Sequence, residues 1–166
     1  AAAVGAAMLL AVFALPAARA QSCEFFGGRP PVTQISSDGI DLLPNCTWYS
    51  RSSCCHGDEL RAILASQKPI PDADEECWHT FNKLLCWPCD PQQASYYSEG
   101  RLAVCSSFCE ELYDACDHFQ ASYDSATAFC ESKSYTVKAG EGPQDGCFNA
   151  GGRVTPGAAA AAAAAA

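Results

Sequence analysis

The segment Cys105-Ser106-Ser107-Phe108-Cys109-Glu110-Glu111-Leu112-Tyr113-Asp114-Ala115-Cys116 carries the pattern that decides the fold. Cys105, Phe108, Cys109, Leu112 and Cys116 recur at i, i+3, i+4, i+7 and i+11. On a helix that spacing places three thiols and two large apolar side chains on one face. Glu110, Glu111, Asp114 and Asp117 fall opposite. That acidic face has no calcium-loop signature, and a solvated surface accounts for it. The pattern predicts a helix whose buried face is a hub to which other segments are bolted.

The hub implies many more thiols elsewhere, and the chain has twelve cysteines in 166 residues. An even count at this density reads as a disulfide framework, hence an oxidising, extracellular compartment. The competing reading is zinc at Cys86-Trp87-Pro88-Cys89 with His56 and His79, but no second Cys-x2-Cys or paired-histidine spacing accompanies it. The chain is 49% hydrophobic and 17% charged, enough to fold. With 19 Asp+Glu against 10 Lys+Arg it lacks the basic footprint of a nucleic-acid binder. No apolar run outside the alanine-rich ends is long enough for a multispan membrane protein.

Residues 1–20 run as an apolar stretch broken at Pro16 and closed by Ala18-Arg19-Ala20, an A-x-A site. They predict a secretory signal peptide cleaved before Gln21, rather than a transmembrane anchor. Residues 151–166 are a Gly/Pro segment followed by alanines, a low-complexity tail that reads equally as a linker, the start of a membrane anchor or filler. The folded domain is therefore expected over 21–150. Asn45-Cys46-Thr47 is a glycosylation sequon at Asn45.

Within that domain, residues 21–45 are rich in Gly, Pro and Ser and read as an irregular arm. Residues 58–67 read as a short helix ended by Pro69 and Pro71. Acidic residues 72–76 open a second helix carrying Cys77, Trp78, Phe81, Leu84 and Leu85 at helical spacing. Ser122–Cys130 is weakly helical. Ser134-Tyr135-Thr136-Val137 is the one β-like run. Tyr96-Tyr97, placed after Pro91, is expected to be an exposed aromatic pair on a loop.

Four blocks in order carry a family likeness. Cys46-Thr47-Trp48-Tyr49-Ser50-Arg51-Ser52-Ser53-Cys54-Cys55 resembles the Cys-x7-Cys-Cys signature of the folate receptor and riboflavin-binding protein family. Cys77-x8-Cys86, followed by Cys89 and Pro91, resembles its second block. Here the gap from Cys86 to Cys89 is one residue shorter than in the vitamin binders, and more like the folate-receptor-like domain of hedgehog-interacting protein. The 105–116 hub and Ser134-Tyr135-x-Val137 with Cys147 resemble the third and fourth blocks. The resemblance covers about residues 46–147 and implies a mainly α fold with minor β, a small disulfide-rich folate-receptor-like domain. It further implies the pairs Cys23–Cys54, Cys46–Cys86, Cys55–Cys89, Cys77–Cys116, Cys105–Cys147 and Cys109–Cys130, which use every cysteine. The cysteines of the vitamin binders that are missing here drop out as whole pairs.

In the vitamin binders a flat heteroaromatic ring is held between aromatic side chains, and in folate receptors a carboxylate pairs with the pterin nitrogens. Leu84 stands in the place of that carboxylate, Pro69–Glu76 holds no Tyr or Trp, and only Glu131-Ser132-Lys133 separates Cys130 from Ser134. Ser134 and Tyr135 alone match positions that line the ligand site. The resemblance thus implies a secreted or surface-tethered, non-enzymatic binding domain, requiring no cofactor. Its partner is either a small organic ligand, folate- or flavin-like, or an extracellular protein bound on the same scaffold. Nucleic acid is not expected, and membrane association would come only through a C-terminal anchor. Trp48, Trp78 and Trp87, with Tyr96, Tyr97 and Tyr113, are either core and rim or a different aromatic cleft. Three histidines without a nucleophile spacing make no catalytic site.

Overall fold

A computed structural model describes residues 21–150. The segments expected to be a signal peptide and a low-complexity tail lie outside them. Among the described residues there are five α-helices, three short strands and several 3₁₀ turns. The helices are α1 (Gly57–Ser66), α2 (Glu75–Leu85), α3 (Ser106–Asp114), α4 (Asp117–Ser122) and α5 (Ala126–Ser132). The strands β1 (Tyr97–Ser98), β2 (Arg101–Cys105) and β3 (Thr136–Lys138) form one sheet in that order. The fold is mainly α, small and disulfide-rich, as the family resemblance implies.

Local signals set the helix starts. Asp74 Oδ1 accepts from the Cys77 N–H at 2.8 Å and caps α2, with Glu75 and Glu76 in its first turn to complement the helix dipole. Ser125 Oγ accepts from the Ala128 N–H at 3.1 Å and caps α5. Glu59 accepts from the His56 N–H at 2.7 Å across the start of α1 and pairs with Arg29, whose guanidinium holds the Glu59 carboxyl below its usual range. Gly57 at that start is obligatory for packing, since a Cβ there would stand 2.6 Å from the Leu42 carbonyl oxygen.

β2 is the centre of the sheet. It pairs antiparallel with β1 (Tyr97↔Leu102) and parallel with β3 (Val104↔Val137), while Phe148 adds a bridge at Val104. Between β2 and β3 the chain crosses over through α3, α4 and α5. Leu102 to Cys105 are all buried, a continuous apolar run without alternation. That is why β2 is missed when the period of two is the criterion.

Four sequence expectations need correction. Only Cys109 of the three hub thiols lies inside α3: Cys105 ends β2, and Cys116 precedes α4. The Cys105 N–H is taken by the Phe148 carbonyl at 3.0 Å, so its backbone belongs to the sheet. The weak 122–130 helix is two helices, broken at Tyr123 and restarted by the Ser125 cap. The 134–137 strand begins at Thr136, because Ser134 sits in the left-handed region with φ 65°. Tyr96 is not exposed but buried, edge-on to Phe148 at 5.4 Å, and Tyr97 is half-buried. The Glu99-Gly100 turn, with φ 52° and 74°, folds this pair back as a hairpin strand instead of a loop.

All twelve cysteines are bridged, as Cys23–Cys54, Cys46–Cys86, Cys55–Cys89, Cys77–Cys116, Cys105–Cys147 and Cys109–Cys130. These are the pairs that the family resemblance implies. Three bridges cross-link residues 23–89 and two cross-link residues 105–147. Cys77–Cys116 alone joins the two groups. The buried side chains divide differently, since Cys77 and Leu84 of the first stretch pack with the later residues. Leu43, Leu60 and the cysteines 46, 55, 86 and 89 form a small core. Phe108, Leu112, Phe119, Phe129, Phe148 and the sheet form the larger one.

A polar cluster lies under the smaller core. Asp90, largely buried, accepts from the Tyr49 hydroxyl at 3.0 Å and from the Gln92 N–H at 2.7 Å. Burial pushes its carboxyl above the ordinary range, against the pull of those hydrogen bonds. The folded state therefore holds the proton more tightly than the unfolded chain. Stability from this group is complete below the ordinary carboxylate pKa and is lost as pH rises through the raised folded value. Asp90→Asn, uncharged throughout, is expected to gain on the wild type in urea midpoints as pH rises above the ordinary carboxylate range, about pH 4. A constant difference between the two proteins would show that Asp90 is ionised normally in the folded state.

Candidate functional site

A cleft of about 660 Å³ opens over the larger core, beside the α1–α2 connection, a size within the range of small-molecule sites. Its floor comes from the end of α2 and from α4 and α5: Leu84, Leu85, Phe119 and Phe129, all buried. Helical spacing explains the α2 contribution, since Phe81, Leu84 and Leu85 lie on its inward side and all reach the cleft. Phe119 and Phe129 are stacked at 4.1 Å between ring centroids. One wall is the connection from α1 to α2, Gln67-Lys68-Pro69-Ile70-Pro71, held out of helix by its two prolines.

The opposite wall is aromatic. Trp87 and Pro88 follow α2 in a 3₁₀ turn, and Phe25 of the N-terminal arm packs edge-on to Trp87 at 5.0 Å. Phe25 is fixed through its backbone, whose N–H donates to Gln93 Oε1 at 3.0 Å. Gln93 is fully buried and its amide also bonds the Pro88 carbonyl, so one side chain positions both. Tyr97 completes the cluster at 5.1 Å from Trp87.

Lys68, His118 and Lys133, all exposed, supply the basic groups of the lining. The Lys133 ammonium lies 5.9 Å from the ring centres of both Tyr123 and Phe129. Tyr135 is half-buried in the lining, and desolvation raises its phenol above the usual value, which keeps the hydroxyl a proton donor.

Of the two residues singled out from sequence, Tyr135 lines the cleft and Ser134 does not; Ser134 is exposed, its N–H bonded to the Glu131 carbonyl at 2.9 Å. Leu84, in the place of the pterin-pairing carboxylate, is in the floor. Among the tryptophans only Trp87 lines the cleft, while Trp48 and Trp78 are exposed. Asn45 is exposed, and its carbonyl accepts from Asn82 Nδ2 at 2.9 Å. The cysteines of the Cys86–Cys89 segment, considered for zinc, are each bridged elsewhere. Sequence reasoning missed Phe25, Lys68, His118, Phe119, Phe129 and Lys133. Their readable signal is the pair of prolines that keeps Lys68 off a helix and the proximity of Lys133 to Tyr135.

No curated protein and no solved structure matches the chain. A family model, the folate receptor family, matches residues 31–149. That span takes in every bridge except one end of Cys23–Cys54, and both walls of the cleft apart from Phe25. The family is one of binding proteins rather than enzymes, and with six disulfides it points to an extracellular protein. The match over residues 31–149, with six bridges in the pattern that the resemblance implies, places this chain in the folate receptor family.

Proposed function

We propose that the chain is a secreted or surface-tethered binding domain that takes a small, vitamin-like organic ligand in the cleft walled by Trp87 and Tyr135. The observation that carries this reading is the cleft itself, apolar at its floor and walled by Trp87 and Tyr135; the family resemblance supports it, since Tyr135 and Leu84 match positions of the ligand site. Aromatic walls hold a flat molecule by stacking and burial. The grip differs from the pterin mode, because Leu84 offers no carboxylate. Each ring donor or acceptor buried against it without a partner would cost about 1–3 kcal/mol.

Titration of the oxidised protein with folate, riboflavin and apolar aromatic acids, followed by tryptophan fluorescence, tests the reading. Quenching at about micromolar concentration or tighter is expected for part of this panel and is expected to vanish in Trp87→Phe. A flat response to every compound would overturn it.

A second reading, an extracellular protein-interaction module, has its own support. Ile35, Ile40 and Leu42 are exposed on one small turn closed by the Ile35↔Asp41 bridge, with Ile40 at 63% exposure. The short Cys86–Cys89 gap, like that of the hedgehog-interacting protein domain, favours the same reading. The flat fluorescence response is the result that would promote it. Glycosylation at the exposed Asn45 is compatible with either reading.

A further inference from the structure

We propose that Phe25, at the tip of a disulfide-anchored loop, closes the aromatic end of the cleft against a ligand, and that Gln93, which does not line the cleft, is the positioning residue that holds this ring in place. The inference rests on the cleft being a ligand site, as proposed above, and adds a wall and its anchor. Phe25 lies outside residues 31–149, which match the family model.

The loop is fastened firmly at its base and by little at its tip. Cys23 is bridged to Cys54, its N–H donates to the Arg29 carbonyl at 2.9 Å, and Arg29 pairs with Glu59. Between these anchors Phe25 sits in the 3₁₀ turn Glu24–Phe26. Gly27 and Gly28 follow at φ 75° and 81°, the left-handed backbone that lets the chain double back. Among the described residues, the bond from the Phe25 N–H to Gln93 Oε1 at 3.0 Å is the one hydrogen bond that ties residues 24–28 to the chain beyond the loop.

The chemistry of Gln93 is the second ground. It is fully buried and absent from the lining of the cleft. Its amide accepts from the Phe25 N–H and donates to the carbonyl of Pro88, the neighbour of Trp87. A side-chain amide offers acceptor and donor together, whereas an ionised Glu lacks the donor and Met lacks both. One group thereby fixes the spacing of two rings that belong to different parts of the chain.

Ring geometry is the third. Phe25 meets Trp87 at 5.0 Å and 78°, and Tyr97 at 5.6 Å and 71°. Edge-on to both, it stands as a corner at the end of the cleft and adds no layer to a stack. It is 41% exposed, so much of its ring is left for a ligand to cover. Covering it favours binding only while the tip is held where Gln93 puts it.

N-phenyl-1-naphthylamine, an uncharged aromatic probe that fluoresces in apolar surroundings, is titrated into the wild type, Phe25→Ala, Gln93→Met and the double variant. Phe25→Ala is expected to weaken binding about fivefold and Gln93→Met about threefold. In the Phe25→Ala background, Gln93→Met is expected to add less than about 1.5-fold, because it acts through the ring. Effects that multiply to about fifteenfold would show that residue 93 only supports the fold, and would overturn the assignment. So would Phe25→Ala binding like the wild type. Amide hydrogen exchange of the wild type gives a reading that stands even where a residue 93 variant fails to fold. By linkage, a ligand that leans on Phe25 tightens the bond holding it, so the Phe25 N–H is expected to exchange about threefold more slowly with the probe bound. An unchanged rate at saturating probe would overturn the inference and leave the ligand-binding reading standing. If the probe does not bind saturably to the wild type, the ligand-binding reading falls and this inference with it.

Discussion

The double variant Cys77→Ala, Cys116→Ala is expected to lose about 2–5 kcal/mol of unfolding free energy and, with it, most binding in the cleft. The bridge closes a sequence separation of 39 residues, for which chain entropy alone gives about 4 kcal/mol. Its position makes the loss matter more than its length. Every other bridge lies wholly within residues 23–89 or wholly within 105–147, while this one crosses between the two stretches inside the larger core. It ties α2, which supplies Phe81, Leu84 and Leu85 to the cleft, to the start of α4, which supplies Phe119. Without the bridge, side-chain packing, the Lys83–Glu111 ion pair and the backbone at 90–104 hold these walls in register. Substituting both cysteines avoids a leftover thiol that could scramble the remaining pairs. Urea unfolding with matched slopes measures the loss, and a variant within about 0.5 kcal/mol of wild type would show that the non-covalent contacts alone join the two stretches.

Phe129→Ala is expected to cost about 3–5 kcal/mol, the range for removing a fully buried ring. Phe129 is 0% exposed, stacked on Phe119 at 4.1 Å and edge-on to Tyr123 at 5.4 Å. It precedes Cys130, whose bridge to Cys109 fastens α5 to α3 and limits how far the helices can close over the space left behind. Poor collapse puts the cost in the upper part of the range. Because the ring is also the cleft floor, the variant should enlarge the cleft, and Phe129→Leu should recover most of the stability by refilling it. Thermal and urea unfolding of the two variants test this. A Phe129→Ala protein less than about 1 kcal/mol below wild type would mean that the floor is not packed as described.

The two core groups explain why some of this architecture is legible in the chain and some is not. Helices α1 and α2 are written locally, in acidic first turns, apolar spacing and the prolines at 69 and 71. The hub is written only in part. Spacing of i, i+4 and i+11 is the same whether Cys105 and Cys116 are helical or flank the helix, so periodicity alone cannot detect that Cys105 closes a strand. β2 escapes for a related reason, since a strand buried on both faces has no alternation to read. Tyr96 is misplaced when its neighbours Pro91 and Ser95 are read as loop, because the Glu99-Gly100 reversal that buries it acts from outside that window.

Cysteine number and spacing marked the chain as a disulfide framework and carried the family likeness, through which the fold class and the set of six bridges followed. Covalent pairing is a discrete choice, and twelve thiols at fixed intervals leave a strong imprint on a chain. The binding site left no such imprint. Phe25, Lys68, Leu84, Phe129, Lys133 and Tyr135 are scattered over more than a hundred residues and come together only when the helices pack on the larger core. Burial there is a property of three-dimensional packing. It decided that Tyr135 faces the cleft and Ser134 does not.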